Sequence, residues 1–390
     1  MINFLRLCVI ASLLMVVNVW AAPIIMPAPP KLSAKAYIMM DADTGNVIVE
    51  HNADEQMEPA SLTKMMTAYI VSEEIIAGRL TEDTLVKVSD NAWRKGGTKS
   101  GSSTMFLKPR SSVKVIDLLR GVIIQSGNDA SIALAEHIAG GEDAFSDVMN
   151  QQAALLGMTN SYFLNATGWP AEGHLSTARD MAILARAAIV DHPMHYPIHA
   201  EKYFKYNGIN QGNRNKLLFE DPTVDGLKTG HTNAAGYCLV ASAKRKGMRL
   251  ITVVLGTRSD KARTQDSQKL LAYGFRYFNT QTLYAKGAQV TQARVWKGQA
   301  DTVPLTVAEN IMVTIPAGTE KNIKAVSKLE YPIIAPIQKG QVLGQMVLTL
   351  DDKPLGEYAL IAAQTTQEAG FFSRMTDSVL LMFDDNPASE

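Results

Sequence analysis

Pro59-Ala60-Ser61-Leu62-Thr63-Lys64-Met65-Met66-Thr67 opens a mostly apolar run that continues to about Ala77 and stops at Gly78. Proline fits only the first turn of a helix, and glycine commonly ends one, so the stretch predicts a helix that begins with Ser61 and Lys64. Residues i and i+3 share a helix face, which brings the Lys64 amine within reach of the Ser61 hydroxyl. A serine hydroxyl is a weak nucleophile until a base takes its proton. A lysine serves once burial or nearby cations let it be neutral. Free N–H groups at a helix start could meet a developing oxyanion.

The pair alone is weak evidence, because Ser111-Ser112-Val113-Lys114 has the same spacing. It follows Lys108-Pro109-Arg110 and reads as a capped, solvent-facing helix start.

Outward from Ser61, Tyr37 to Glu50 reads as a β-hairpin turning at Asp43-Thr44-Gly45-Asn46. Helices are predicted from Val113 to Gln125, after Asn128, from Asp143 to Leu156 and from Ala178 to Val190. Gly236 to Ala243 and Met248 to Leu255 are β-rich runs joined by Lys244-Arg245-Lys246-Gly247. A last helix, Ala262 to Phe278, places Leu270, Leu271, Gly274, Phe275 and Phe278 on one face. The pattern predicts a helical cluster packed on an antiparallel sheet. From about Leu283 to Ala363 short alternating strands take over, clearest at Ile311/Val313/Ile315 and Met346/Leu348/Leu350, and predict a separate small all-β domain.

Two further segments carry polar groups where they can act. Ser126-Gly127-Asn128-Asp129 falls in the break between two apolar helices, where a hydroxyl and an amide can relay a proton and hold a carbonyl. An ordinary interhelix turn explains that segment equally well when it is taken alone. Lys228-Thr229-Gly230-His231 precedes a β-rich run. A strand there can present a backbone N–H to an oxyanion, and Gly230 permits close approach. Lys228 and Thr229 offer a cation and a hydroxyl to a terminal carboxylate. Ser89-Asp90-Asn91 and Lys99-Ser100-Gly101 match these segments in letters but lie in the wrong context, the latter in a Gly/Ser-rich loop.

The ordered set Ser-x-x-Lys, Ser-x-Asn, Lys-Thr-Gly at helix start, interhelix turn and strand is that of penicillin-binding proteins and serine β-lactamases. With Val224-Asp225-Gly226-Leu227 before Lys228, Asn207-Gly208-Ile209 and Asn213-Arg214-Asn215, the chain resembles the low-molecular-mass penicillin-binding proteins that are serine-type D-alanyl-D-alanine carboxypeptidases. The resemblance spans almost everything from Ala34 onward. It implies an α/β (α+β) transpeptidase-like domain over 34–280 and a small all-β domain over 281–365. It implies removal of the terminal D-Ala from peptidoglycan stem peptides through an acyl-enzyme on Ser61, acylation by β-lactam antibiotics, and no metal or organic cofactor. Catalytic roles would fall to Ser61, Lys64, Ser126 and Asn128, with the N–H groups of Ser61 and His231 as oxyanion hole. Lys228, Thr229, Gly230, His231, Arg214 and the loop histidine His174 would bind substrate.

Three other functions compete. A serine β-lactamase would need a glutamate for deacylation, and Glu172 lies in a suitable loop, but Trp169-Pro170-Ala171-Glu172-Gly173-His174 is not its motif. A zinc peptidase is suggested by His192, His195 and His199, but Pro193 and Pro197 break any aligning helix, and the segment reads as a proline-rich surface loop. A non-catalytic wall-binding protein could also retain all three motifs.

Composition sets the setting. Lys+Arg and Asp+Glu are equal at 38 each among 390 residues, so no global charge points to nucleic acid. Met1 to Arg6 and the apolar run Leu7 to Trp20 predict an export signal over 1–21 cleaved near Ala21, and a proline-rich leader over 22–33. Cys8 leaves with that signal, so Cys238 is the single mature cysteine and reads as a core residue. Over 366–390 the stripe Phe371, Phe372, Met375, Val379, Leu380, Met382, Phe383 predicts an amphipathic helix on a membrane surface, with Asp377, Asp384, Asp385 and Glu390 weakening any pull from anionic lipid. The expected location is the periplasm, at the outer face of the inner membrane.

Overall fold

The computed structural model describes residues 26–384, so the predicted export signal and the start of the leader lie outside the described residues. Its centre is a five-stranded antiparallel sheet in the order Val47–His51, Ala36–Asp41, Met248–Thr257, Gly236–Arg245, Val224–Thr232. Alternating residues divide between two cores, as the pleat requires. Ile38, Ile251 and Val253 pack with Met65, Met66, Met181 and Leu184 on one face. Met39, Leu250 and Val254 pack with Leu270 and Leu271 of the helix Asp260–Tyr277 on the other. Cys238 is fully buried in the first of these cores. The strand Val224–Thr232 lies at the sheet edge, so one of its sides is free to face the helices.

The helical layer holds Lys64–Ile76, Val115–Ile123, Asn128–Ala139, Glu142–Leu156 and Ala178–Val190. Two predictions need correction. The chain enters the first helix through a 3-10 turn, Ala60–Thr63, so Ser61 lies on that turn and Lys64 begins the α-helix. The stretch expected to open a helix at Val113 is instead a short strand, Ser112–Lys114, paired with Leu85–Lys87, and the helix begins at Val115. β-branched Val113 buries against Val86 while Ser112 and Lys114 point outward, a period of two that outweighs the helical pattern there.

His192, His195 and His199 are also corrected. They are buried, not on a surface loop, and the last two lie at or in the 3-10 turn Tyr196–Ala200. Among the described residues no group of three or more His, Cys, Asp or Glu side chains could hold a metal ion.

Beyond Tyr277 the chain becomes strand. A pair, Phe278–Tyr284 with Ile311–Pro316, adjoins a five-stranded antiparallel sheet whose core includes Val303, Leu305, Val313, Met346, Leu348 and Leu360. The two domains meet through hydroxyls: Thr280 donates to the buried Asp41 carboxylate, and the Thr44 and Thr314 hydroxyls lie 2.7 Å apart. The final helix, Phe371–Leu381, exposes Phe371, Phe372, Met375, Val379 and Leu380. Acids in and just after it turn to the β domain: Asp377 accepts the Lys297 N–H at 2.5 Å, and Asp384 lies 3.6 Å from Arg294. Among the described residues no helix is long and apolar enough to cross a membrane.

Candidate active site

Lys64 is 1% exposed, and its Nζ lies 3.1 Å from Ser61 Oγ while donating to the Thr167 carbonyl at 2.6 Å. Burial removes the water that would stabilise an ammonium and pushes the Lys64 pKa down to about 7, against a smaller raising by Asp129. An amine neutral near pH 7 and in contact with a serine hydroxyl can accept its proton.

The turn that presents Ser61 is held between two glycines. Ala60 adopts φ 48°, a left-handed conformation that swings Ser61 toward the cleft. Gly168 runs so close beneath it that a Cβ would fall 1.8 Å from the Ala60 carbonyl oxygen. On the opposite side a Cβ at Gly230 would fall 3.0 Å from the Pro59 carbonyl, so the edge strand abuts the turn. This closeness is what an oxyanion site shared by the two segments needs.

Ser126 sits at φ 60° just before the helix Asn128–Ala139, and its hydroxyl accepts from Lys228 Nζ at 2.8 Å. Lys228 is 2% exposed, and burial together with Lys64, Arg214 and Arg263 holds its pKa far below the ordinary lysine value. The Asn128 N–H donates to the Ser103 carbonyl at 2.9 Å. Asp129, fully buried, accepts from the Thr104 hydroxyl and from the N–H groups of Met105 and Leu107, tying this turn to the neighbouring loop.

These segments line one open cavity of about 360 Å³ that contains Ser61, Ser126, Asn128, Thr229, Gly230 and His231. Arg214 also lines it, an exposed residue between two buried ones. Asn213 donates to the His199 and Glu201 carbonyls and Asn215 to that of Gly226, which fixes the backbone on either side of Arg214. Lys64 and Lys228 contribute nothing to the lining and act from beneath it. His174 is also off the lining, buried behind Thr63. Glu172, the residue a β-lactamase reading required, is exposed and outside the cavity.

Sequence reasoning missed several contributors. Ser102 and Ser103 line the cavity although their Gly/Ser-rich loop was set aside as a chance match. Trp169 forms another wall. Arg263, in a helix with no motif, donates to the Gly230 and Cys238 carbonyls and also lines the cleft. Only the glycine and serine density around Gly101 was visible as a signal; the others depend on packing.

Comparisons with known proteins agree with this geometry. The family described as "D-alanyl-D-alanine carboxypeptidase" matches residues 24–259, and "Penicillin-binding protein 5, C-terminal domain" matches 278–368. The chain is similar to the D-alanyl-D-alanine carboxypeptidase DacC of Escherichia coli, 47% identical over 91% of this chain and 89% of that one. Its structure is similar to penicillin binding protein 5 from Haemophilus influenzae, with TM-score 0.83 and 40% identity over 88% of this chain and 100% of the other. It is also similar to ampicillin-bound penicillin-binding protein D2 from Listeria monocytogenes, with TM-score 0.57 and 30% identity over 64% of this chain and 100% of the other. A serine lining a cleft walled by Ser-x-Asn and Lys-Thr-Gly, with a buried lysine beneath it, in a chain matched along most of its length, makes this a member of the serine-type D-alanyl-D-alanine carboxypeptidase family.

Proposed function

We propose that Ser61 is the nucleophile and Lys64 its base in the removal of the terminal D-Ala from a stem peptide ending in D-Ala-D-Ala. The observation that carries this reading is the 3.1 Å contact between Ser61 Oγ and a buried Lys64 amine. Ser61 Oγ bonds to the penultimate D-Ala carbonyl carbon as its proton passes to Lys64 Nζ. The N–H groups of Ser61 and His231 receive the oxyanion. The C–N bond then breaks, and the departing D-Ala amine takes a proton from the network of Lys64, Ser126 and Lys228. Water adds to the acyl-enzyme, returning the proton to Ser61 and releasing the shortened peptide. Thr229 and Arg214 hold the terminal carboxylate, while Asn128 holds the amide carbonyl of the bound peptide. Lys228 supports them by keeping Ser126 in place.

The same serine takes up β-lactams in this reading, supported by the ampicillin- and cefotaxime-bound forms of the Listeria relative. Intact-mass analysis with penicillin, run beside D-Ala release from a pentapeptide, tests both statements. A wild-type protein without an adduct, or a Ser61→Ala protein with one, would sink them.

The site of action follows from the two ends of the chain. Residues 1–21 act as an export signal to the periplasm, and the helix Phe371–Leu381 rests on the inner membrane. Its apolar residues are exposed while Asp377 and Asp384 engage the β domain, so the outward face carries little of the negative charge that would repel lipid. Burying several such side chains contributes several kcal/mol. Flotation with neutral vesicles tests it: Phe371→Asp with Phe372→Asp releases the protein, and undiminished binding by that variant counts against the reading.

A further inference from the structure

Between Asn165 and Trp169 the chain passes beneath the nucleophile turn, and one side chain organises this passage. Asn165 Oδ1 accepts from the Thr167 N–H at 3.1 Å, the Thr167 hydroxyl at 2.9 Å, the Gly168 N–H at 2.8 Å and the Trp169 N–H at 3.1 Å. Four donors converge on one amide oxygen, so the turn is built around it. Asn165 Nδ2 donates to the Trp169 carbonyl at 3.0 Å and to His174 Nδ1 at 3.3 Å. The Leu164 N–H points at the same ring nitrogen at 3.3 Å. Two donors on Nδ1 leave the ring proton on Nε2, which donates to Thr63 Oγ1 at 2.9 Å.

The turn delivers a single carbonyl. The Gly168 N–H and the Thr167 C=O are opposite ends of one trans peptide, so anchoring the N–H on Asn165 aims the carbonyl the other way. That carbonyl accepts from Lys64 Nζ. A neutral amine has one lone pair and two N–H bonds, and fixing one N–H restricts where the lone pair can point. Ser61 Oγ is the other neighbour of Nζ.

We propose that Asn165 is a positioning residue for this reaction: it holds the Thr167–Gly168 peptide so that the Thr167 carbonyl orients the Lys64 amine toward Ser61. Asn165 lies outside the cavity lining. His174 serves the same end, fixing which way the Asn165 amide faces and tying the loop to the turn at Thr63. The inference rests on the roles given above to Ser61 and Lys64. The charged groups felt at Lys64 are Asp129 and Lys228, and neither reaches Asn165 by a hydrogen bond.

The test compares wild type, Asn165→Ala, Asn165→Asp and Ser61→Ala as full chains. Penicillin acylation rates from about pH 6 to about pH 10 are read beside kcat and KM for D-Ala release and a thermal melt. Folded Asn165→Ala should lose roughly tenfold to a hundredfold in acylation rate and kcat, with KM within about twofold of wild type. The acidic limb of its profile should move to higher pH as water reaches Lys64. Asn165→Asp keeps the accepting oxygen but adds a charge that favours the ammonium, so it should be slow near neutrality and recover as pH rises. A folded Asn165→Ala with wild-type kcat and profile, or with only KM raised, overturns the proposal. Should the Ala variant fail to fold, a folded Asp variant that stays slow at every pH overturns it equally. An adduct on Ser61→Ala would instead remove the nucleophile assignment beneath it.

Discussion

Ser61–Lys64 and Ser111–Lys114 carry the same four-residue spacing in one chain, and the fold makes opposite things of them. The first runs through a buried 3-10 turn into a helix, where a spacing of three brings the two side chains to 3.1 Å. The second leads into a strand, where a spacing of three sends side chains to opposite faces. Ser111 Oγ there donates to the Lys108 carbonyl, and the exposed Lys114 pairs with Asp83 at 2.7 Å. Burial lowers the Lys64 pKa to about 7, whereas Asp83 raises that of Lys114. Spacing brings the groups into play; desolvation decides which lysine can be a base.

The largest effect that could break this contrast is at the hydroxyls. Ser61→Ala should abolish penicillin acylation and D-Ala release, a loss of at least about a thousandfold, while Ser111→Ala leaves both unchanged. Intact mass after penicillin treatment reads the result directly.

Next comes the base. Lys64→Ala should reduce acylation by roughly a thousandfold. In wild type the rate should climb about tenfold per pH unit below an inflection close to the Lys64 pKa of about 7 and level off above it. Only the neutral amine accepts the proton, so a profile falling with pH through that region would contradict the role.

Much of this was legible before the fold was seen, and what was not has physical causes. The central sheet of the catalytic domain was visible because Met248 to Leu255 is a near-continuous apolar, β-rich run, and the β domain because Ile311, Val313 and Ile315 keep a period of two. Ser61, Ser126 and Lys228 were found because three motifs had to occur in order. The strand at Ser112–Lys114 was hidden because Val113 extends the apolar pattern of the helix that follows. The contact of Lys228 Nζ with Ser126 Oγ was not legible, because the two residues lie far apart in sequence and only the fold brings them together. The burial of His192 and His199 was hidden by Pro193 and Pro197, which mark a turn without telling which side of it faces the core.

The third effect tests how tightly the Ser61 turn is held. Gly168 has φ 82°, and a Cβ there would fall 1.8 Å from the Ala60 carbonyl. Gly168→Ala should therefore displace the turn and cost roughly a hundredfold in acylation. Gly78→Ala, at φ 71° with open space around it and outside the cleft, should cost far less in the same assay. Equal losses would mean that backbone strain, and not the contact with Ala60, governs the turn.

Fourth, the surroundings of Lys64 should be acid-sensitive in a way the Ser111 hairpin is not. Burial lowers the pKa values of His174, His192 and His199 from 6.5 to about 4. Between those values the unfolded chain binds more protons than the native one. The stability these imidazoles confer is complete above pH 6.5 and drains as pH falls toward 4, by up to about 3 kcal/mol for each. Urea midpoints measured across that window should fall with pH, and His192→Asn should flatten the slope. No histidine lies in the hairpin of Leu85–Lys87 and Ser112–Lys114, so its loss of structure should follow the domain and not lead it.

The smallest effect is the sharpest control. Lys114 and Asp83 are both largely exposed, and such a pair gains little because water screens the attraction and ordering two long side chains offsets the rest. Lys114→Ala should leave the melting temperature, the acylation rate and its pH profile where they were. A profile displaced by Lys114→Ala would mean that surface charge, and not burial, sets the Lys64 pKa. The distinction between the two lysines would then have to be redrawn in terms of the field across the whole face. An unmoved profile places the cause where the contacts place it, in the removal of water from one ammonium and not the other.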